Sequence, residues 1–250
     1  MLGKLLKYEI KATARTFLPL YLAILLAAAG MRFVLAAGFI PVVTILGFVL
    51  FGLFVALAVL TIVITVQRFQ KNLLSTEGYL MFTLPVTPAS LVGSKLLASL
   101  LWAVLTCVVT VACFFVIVID GRMIQEFGLM TEQIWQVLQN GFQIEAGEAV
   151  SILIGMIVSM FCSYTTFILN IYASLSVGQR FNKSRTAASF VTFMLVYIVY
   201  GILSYFLGEY VFANMSFTTW MWAAIGVELV VSGALFAFAN YNLSRHLNLE

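Results

Sequence analysis

Charged side chains are scarce in this chain of 250 residues, where aspartate, glutamate, lysine and arginine together make up 9%. Soluble domains carry about 25% charged and about 45 to 50% apolar residues, whereas 63% of this chain is hydrophobic. The composition therefore excludes an ordinary soluble domain and predicts a membrane protein. A helix needs roughly 20 apolar residues to cross the hydrocarbon of a bilayer, and by that measure the sequence holds about six spans.

Histidine and cysteine are also rare, which limits the chemistry that this chain can perform. The single histidine, His246, looks solvated, and neither an H-E-x-x-H zinc motif nor a hydrolase triad can be assembled from it. Cys107, Cys113 and Cys162 fall inside predicted spans without metal-ligand spacing. The nearest approach to a phosphate loop, Gly93-Ser94-Lys95, lacks the upstream glycine. We therefore predict that the chain is not an enzyme and has no metal or nucleotide site of its own.

Proline occurs only four times, and no proline lies in the middle of a predicted span. Pro19 fits the first turn of span one, where its missing N–H costs nothing, and Pro41 ends a tight outer turn. Pro85 and Pro88 both lie in the connection between spans two and three. Secondary transporters with discontinuous helices carry glycine or proline interruptions at matching positions of two halves, and this sequence shows no persuasive example.

The apolar runs predict an all-α, polytopic fold in which the whole chain, 1–250, is one transmembrane domain. Residues 120–147 are predicted to form an outer segment and residues 177–186 a cytoplasmic loop. The predicted spans are 18–37, 42–67, 89–119, 148–176, 187–207 and 217–240.

Basic residues cluster before span one, in the connections after spans two and four, and after span six. The positive-inside bias therefore places both termini in the cytoplasm, and we expect a multi-pass protein of the plasma membrane. Residues 1–16 are predicted to form an interfacial helix on anionic lipid, because their cations share one narrow stripe. A plain basic flank that sets topology is the alternative. The stripe consists of Lys4, Lys7, Lys11 and Arg15.

The connection from Glu77 to Lys95, EGYLMFTLPVTPASLVGSK, is mostly apolar although it is predicted to lie on the water side of the membrane. Such side chains need a surface to cover them, and we attribute that surface to a partner protein. Leu84 precedes Pro85 and is excluded from helical geometry, so 77–84 can form about two turns in which Tyr79 and Phe82 share a face. Pro88 then fits the first position of span three. The alternative is a re-entrant segment that is buried against its own bundle.

This pattern, a short N-terminal helix, two spans and a cytoplasmic EGYLMFTLPVTPASLVGSKLL, resembles the permease subunits of ABC-2 type ABC transporters. The likeness covers about Arg68 to Trp102 and is weaker in SLSVGQRFNKSR, Ser174 to Arg185. It implies that 77–88 is a coupling helix that docks on an ATPase subunit, with a second cytoplasmic contact in the loop after span four. The implied docking residues are Glu77, Tyr79, Phe82, Leu84, Pro85 and Pro88, and the second contact is Arg180, Lys183 and Arg185.

The resemblance also implies a complex of two permease subunits, identical or different, and two ATPase subunits. ATP and Mg²⁺ would be bound in the partner ATPase, and this chain would carry no cofactor. Neither the composition nor the resemblance indicates a nucleic-acid partner; the remaining partner is the lipid bilayer.

Glu228 is an acid near the middle of a predicted span, where a charge costs a few kcal/mol or more. One interpretation is a polar point in a transport cavity, together with Arg32 of span one. The other is a protonated acid that bonds a hydroxyl of a neighbouring helix. Further polar residues that could line a cavity are Asn170, Tyr197 and Tyr200.

Small residues recur at every fourth position of span four and so follow one side of the helix. Small side chains let another backbone approach closely, and the neighbour is a helix of the same subunit or of a second one. The residues are Ser151, Gly155, Ser159 and Ser163.

Taken together, these patterns predict the permease subunit of an ABC exporter, which forms a translocation route and works only with a separate ATPase. An ATP-independent secondary transporter or channel is one alternative, and a membrane scaffold or assembly protein is another.

Overall fold

The structure, a computed structural model, describes residues 2–74, 87–118, 125–126, 128–133, 135–136, 146–181 and 184–245. The long elements in these residues are helices, and six of them are long and apolar enough to cross a membrane. The prediction of an all-α membrane protein with six spans is confirmed to this extent. The helices are α1 (Leu2–Ala37), α2 (Ile40–Leu73), α3 (Pro88–Val118), α4 (Ala146–Gly178), α5 (Arg185–Phe206) and α6 (Phe217–Arg245), and a π-helical turn, Leu207–Val211, follows α5.

Helix α1 joins the predicted segments 1–16 and 18–37 in one continuous helix of 36 residues. Pro19 therefore lies inside α1 and not in its first turn, because the buried face of the helix continues past it. That face repeats every three or four residues, as Thr13, Phe17, Tyr21 and Ile24, whereas Pro19 is exposed. A helix of this length measures about 54 Å, against about 30 Å of hydrocarbon, so part of α1 extends beyond the apolar layer.

The turn between α1 and α2 depends on Gly38, which adopts a φ of 72°. The N–H of Gly38 donates to the carbonyl of Leu35 at 3.1 Å, and that of Phe39 donates to Val34 at 3.4 Å. This pair of bonds is the Schellman motif, which favours glycine at the left-handed position. It ends α1 at Ala37 and lets α2 begin three residues later, at Ile40.

The chain forms two compact units, and the long helices α1, α2 and α3 contribute to both. One unit comprises Lys7–Ile64 and Ala98–Glu145. Its core draws on α1, α2 and α3, and in it the rings of Phe17 and Trp102 stack at 4.6 Å. Trp102 Nε1 donates to Thr13 Oγ1 at 2.7 Å, and the Tyr21 hydroxyl lies 2.8 Å from Thr106 Oγ1. These bonds satisfy polar groups that would be costly to leave unpaired in an apolar core.

The other unit comprises Met1–Leu6, Thr65–Leu97 and Ala146–Glu250. Within it, α4 packs against both α5 and α6. Its buried core draws on the end of α2, the beginning of α3, the C-terminal half of α4 and the end of α6. This core contains the candidate functional site.

Candidate functional site

The predicted docking segment falls mostly outside the part of the chain that the structure describes. Only Pro88 of its six candidate residues is described; Glu77, Tyr79, Phe82, Leu84 and Pro85 lie outside the described residues, as does Lys183 of the second contact. What the structure does describe is how the chain is held on either side of the segment.

Both helix ends that flank the segment are buried. On the α2 side, Leu73 is fully buried and Leu74 is 5% exposed. On the α3 side, Val92 is fully buried and Leu91 is 3% exposed. The carbonyl of Thr87 accepts the N–H of Ser90 at 2.9 Å, so that α3 begins at Pro88 with its first turn closed. The two attachment points of residues 75–86 are therefore packed and are not loose helix ends.

Both ends share a buried cluster with helix α4. Leu73, Leu91 and Val92 belong to one buried cluster with Ile168, Leu169, Tyr172 and Leu175 of α4. The ring of Phe69, in the penultimate turn of α2, stacks on the ring of Tyr172 with 4.3 Å between centroids and 11° between planes. This ring pair places the end of α2 in direct contact with α4.

The loop after α4 is tied to the end of α6. Arg180 donates from Nη2 to Asn242 Oδ1, and Asn242 Nδ2 donates to Ser176 Oγ at 3.3 Å. Asn242 is 2% exposed. In the predicted second contact, the Arg180 side chain is therefore bonded to α6. Arg185 is the first residue of α5.

The end of α4 also approaches the beginning of α5 very closely at Gly178. A Cβ added to Gly178 would lie 1.9 Å from Ser189 Oγ and 2.7 Å from the backbone oxygen of Arg185. A side chain at position 178 would therefore force the two helices or the Ser189 side chain to shift.

Glu228 is bound by hydroxyls from two neighbouring helices. Ser163 Oγ of α4 donates to Glu228 Oε1 at 2.6 Å, and the Tyr200 hydroxyl of α5 donates to the same oxygen at 3.3 Å. The other oxygen, Oε2, is buried and has no hydrogen-bond partner among the described residues. One turn further along, Thr166 Oγ1 and Ser232 Oγ lie 2.8 Å apart. These contacts join α4, α5 and α6 by polar bonds inside the membrane-spanning region.

Two of the other predicted cavity residues, Asn170 and Tyr197, are not hydrogen-bonded to Glu228. Asn170 lies on α4 near the buried cluster, where its Oδ1 accepts the Ser174 hydroxyl at 3.3 Å. Tyr197 is 62% exposed on α5. Arg32 lies in α1, in the compact unit that does not contain Glu228.

The small-residue stripe of α4 lies largely on the side that faces α6 of the same chain. Ser151 Oγ accepts the Trp222 indole N–H at 3.0 Å, and a Cβ at Gly155 would lie 2.0 Å from Met221 Cε. Ser163 bonds to Glu228 as described above. Ser159 donates to the carbonyl of Met156 at 2.9 Å, within its own helix.

Sequence reasoning missed the polar residues Lys95 and Asn242. Lys95 is 6% exposed within α3, although a lysine at a helix entrance was read as a topology signal. Asn242 was not singled out from the sequence, and it is 2% exposed. Neither residue has a local sequence pattern that predicts its burial, because that burial depends on tertiary packing. A buried lysine is also rare in proteins.

Comparison of the chain with protein-family models, with curated proteins and with solved structures finds no match.

Proposed function

We propose that this chain is the membrane subunit of an ABC exporter, in which residues 75–86 and the loop after α4 receive the movement of a separate ATPase. The proposal rests on the resemblance to ABC-2 permeases described from the sequence. Its main structural support is that Leu73, Leu91 and Val92, near the two ends of the 75–86 connection, are buried in one cluster with residues of α4. A connection anchored in this way can transmit a displacement by a docked protein to the membrane-spanning helices.

The route of that movement can be followed along the described helices. Closure of an ATPase dimer on ATP would displace 75–86, and the stacked pair of Phe69 and Tyr172 would carry the displacement into α4. The bond of Arg180 to Asn242 would carry a displacement of the second loop into α6. Packed helices shift as rigid bodies, so access to the route would change by rocking of helices.

The first turns of α1 support a placement of this end at a charged membrane surface. Lys4, Lys7, Lys11 and Arg15 are all exposed, whereas Thr13 on the opposite side is buried. We propose that this stripe rests against anionic lipid of the cytoplasmic leaflet, each cation contributing about 1 kcal/mol. Both termini would then be cytoplasmic, as the positive-inside bias indicates.

The test is whether the chain and an ATPase subunit purify together and whether the aromatic face of 77–84 is required. The double variant Tyr79→Ala/Phe82→Ala should insert normally and lose the ATPase, because it removes the apolar surface assigned to docking. The matched control is Leu129→Ala/Met130→Ala, which removes two large side chains, each 60% exposed, from the predicted outer segment. The proposal fails if the ATPase stays bound to Tyr79→Ala/Phe82→Ala, or if both double variants lose the ATPase.

A secondary transporter is the second candidate, and Glu228 is the observation that favours it. Acids inside a membrane mark ion and proton pathways, and the Glu228 carboxyl joins three helices. The two candidates differ in energy source: vesicles that contain the chain alone and respond to an ion gradient would favour the secondary transporter, whereas transport that needs the co-purified ATPase and ATP would favour the exporter.

A further inference from the structure

We propose that Glu228, Ser163 and Tyr200 form a binding site for a primary organic ammonium group on a membrane-soluble molecule. The site lies within the membrane-spanning region, about 17 Å along the α6 axis from Phe217 and about 25 Å from Arg245 at the helical rise per residue. It belongs to a single compact unit, since α4, α5 and α6 all lie in the unit that contains Ala146–Glu250.

The first argument is the unequal state of the two carboxylate oxygens. Two hydroxyls donate to Oε1, while Oε2 is buried and has no donor among the described residues. A buried carboxyl oxygen without a hydrogen-bond partner costs more than a typical hydrogen bond contributes. The two hydroxyls therefore satisfy only one of the two carboxyl oxygens.

The second argument is that the helices around Glu228 supply no counter-charge. Residues 146–245 contain four basic side chains, Arg180, Lys183, Arg185 and Arg245, all near the end of α4, the beginning of α5 or the end of α6. Arg180 is about 25 Å from Ser163 along the α4 direction, and Arg185 is about 22 Å from Tyr200 along α5. No described basic side chain makes an ion pair with Glu228, whose described contacts are the two hydroxyls.

The third argument is that the site opens to the side. Ser163 is exposed, and its bond to Glu228 lies at an exposed position. On the adjoining surface, Met160 and Leu229 are 51% and 58% exposed, and Tyr197 lies one turn from Tyr200 on α5. A molecule dissolved in the membrane can approach the exposed Ser163 edge of the site from this side, with its hydrocarbon part against apolar side chains.

The chemistry of the site fits an ammonium group better than a metal ion. Hard cations need six or more oxygen ligands, and the described residues contain no group of three or more histidine, cysteine or acidic side chains that could hold a metal ion. An ammonium group brings three N–H donors, which suit the carboxylate and the Ser163 oxygen. Tyrosine rings attract organic cations through their π-faces. The terminal torsion of a glutamate is soft, so a small turn of the carboxyl presents either oxygen to the ligand.

The binding test uses the purified chain alone in nanodiscs of phosphatidylcholine, a lipid without net charge. The probes are dansyl-labelled dodecylammonium and the matched dansyl-labelled dodecanol, and the readout is saturable energy transfer from tryptophan. Wild type should bind the ammonium probe about tenfold more tightly than the alcohol, as a charge-assisted contact implies. Glu228→Gln should bind both probes equally, because the amide keeps the shape and loses the charge.

The matched control is Glu209→Gln, which removes an exposed acid from the π-helical turn after α5. This variant should keep the preference of wild type for the ammonium probe. Ser163→Ala and Tyr200→Phe should each reduce the preference by about two- to fivefold, because each removes one hydroxyl from the site.

A measurement on wild type alone guards against variants that fail to fold. Labelling of Glu228 by a hydrophobic carbodiimide, followed by mass spectrometry, should be slowed by dodecylammonium and unaffected by dodecanol. The proposal is overturned if wild type does not distinguish the two probes, if Glu228→Gln keeps the preference, or if the ammonium leaves labelling unchanged. Because no ATPase is present, failure here is separate from failure of the proposed exporter function, in which this site would receive part of the cargo.

Discussion

At the scale of single residues, the two glycines of α4 that touch another helix differ in what a side chain would meet. At Gly155 the nearest atom is the terminal methyl of Met221, a flexible side chain. At Gly178 the neighbours include the Arg185 backbone oxygen at 2.7 Å, which cannot move without the helix. The same substitution should therefore have different costs at the two positions.

We expect Gly178→Ala to lower the free energy of unfolding by about 1–3 kcal/mol, the usual cost of overpacking a rigid contact. Gly155→Ala should cost less than about 1 kcal/mol, because Met221 can rotate away and alanine favours the helix. Apparent melting temperatures in detergent would measure both. Gly226→Ala is the control, since nothing lies within 4 Å of its added Cβ. An equal loss at Gly155 and Gly178 would contradict this account of the α4 contacts.

Two asparagines near the end of α6 offer a second comparison. Asn242 accepts a bond from Arg180 and donates one to Ser176, whereas the buried Oδ1 of Asn240 has no partner among the described residues. Asn242→Leu should destabilise the protein by about 1–3 kcal/mol because it removes both hydrogen bonds of a buried side chain, one to Arg180 and one to the buried Ser176 hydroxyl. Asn240→Leu should be neutral or stabilising, because it removes an unpaired polar atom. The melting temperatures of the two variants would be compared under the same conditions. A lower melting temperature for Asn240→Leu than for Asn242→Leu would show that the Arg180 contact contributes little.

At the scale of helices, the contact of α2 with α4 should matter more for coupling than for assembly. Phe69→Leu removes the stacked ring of the Phe69–Tyr172 pair and keeps most of the apolar volume, so the loss of stability should be about 1 kcal/mol. If the chain works with an ATPase, this variant should keep the ATPase bound and lose most of the ATP-driven transport.

Phe51→Leu is the control for that measurement, because Phe51 lies in the same helix and is 69% exposed. Transport and ATPase association would both be measured in proteoliposomes. Equal transport by the Phe69 and Phe51 variants would exclude the stacked pair as part of the route.

The helices also indicate which features of the fold could be read from the sequence. Long apolar runs predicted the six spans, and these are confirmed by helix length and hydropathy. The continuation of α1 through Pro19 was not predicted, because the exposure of the proline and the buried face of α1 depend on tertiary packing. α2 likewise continues past Arg68 to Leu73, since Phe69 and Leu73 are buried by α4.

Long-range side-chain pairs could not be read from the sequence. Ser163 was singled out for its small size and Glu228 for its charge, but nothing local relates two residues that are 65 positions apart. Arg180 and Asn242, 62 positions apart, present the same difficulty. A repeat of small residues predicts that another helix packs closely against the helix that carries it. Which helix this is follows only from the tertiary structure.

At the scale of the whole molecule, the orientation that we propose from the positive-inside bias has both termini in the cytoplasm. In a variant without its three cysteines, a new cysteine at Leu129 should react with an impermeant maleimide from outside intact cells. A cysteine at Lys7, in the exposed stripe of α1, should react only after the membrane is opened. The opposite pattern would reverse the proposed orientation and place 77–84 outside the cell.

The most direct test of the exporter proposal is to identify what lies against position 82 in native membranes. A photoreactive amino acid in place of Phe82 should crosslink to a protein whose sequence contains the phosphate-loop motif G-x-x-x-x-G-K-[ST], the mark of an ATPase. The same amino acid in place of Leu129 should not yield that product. Crosslinks from position 82 only to lipid or to this same chain would contradict the proposed function.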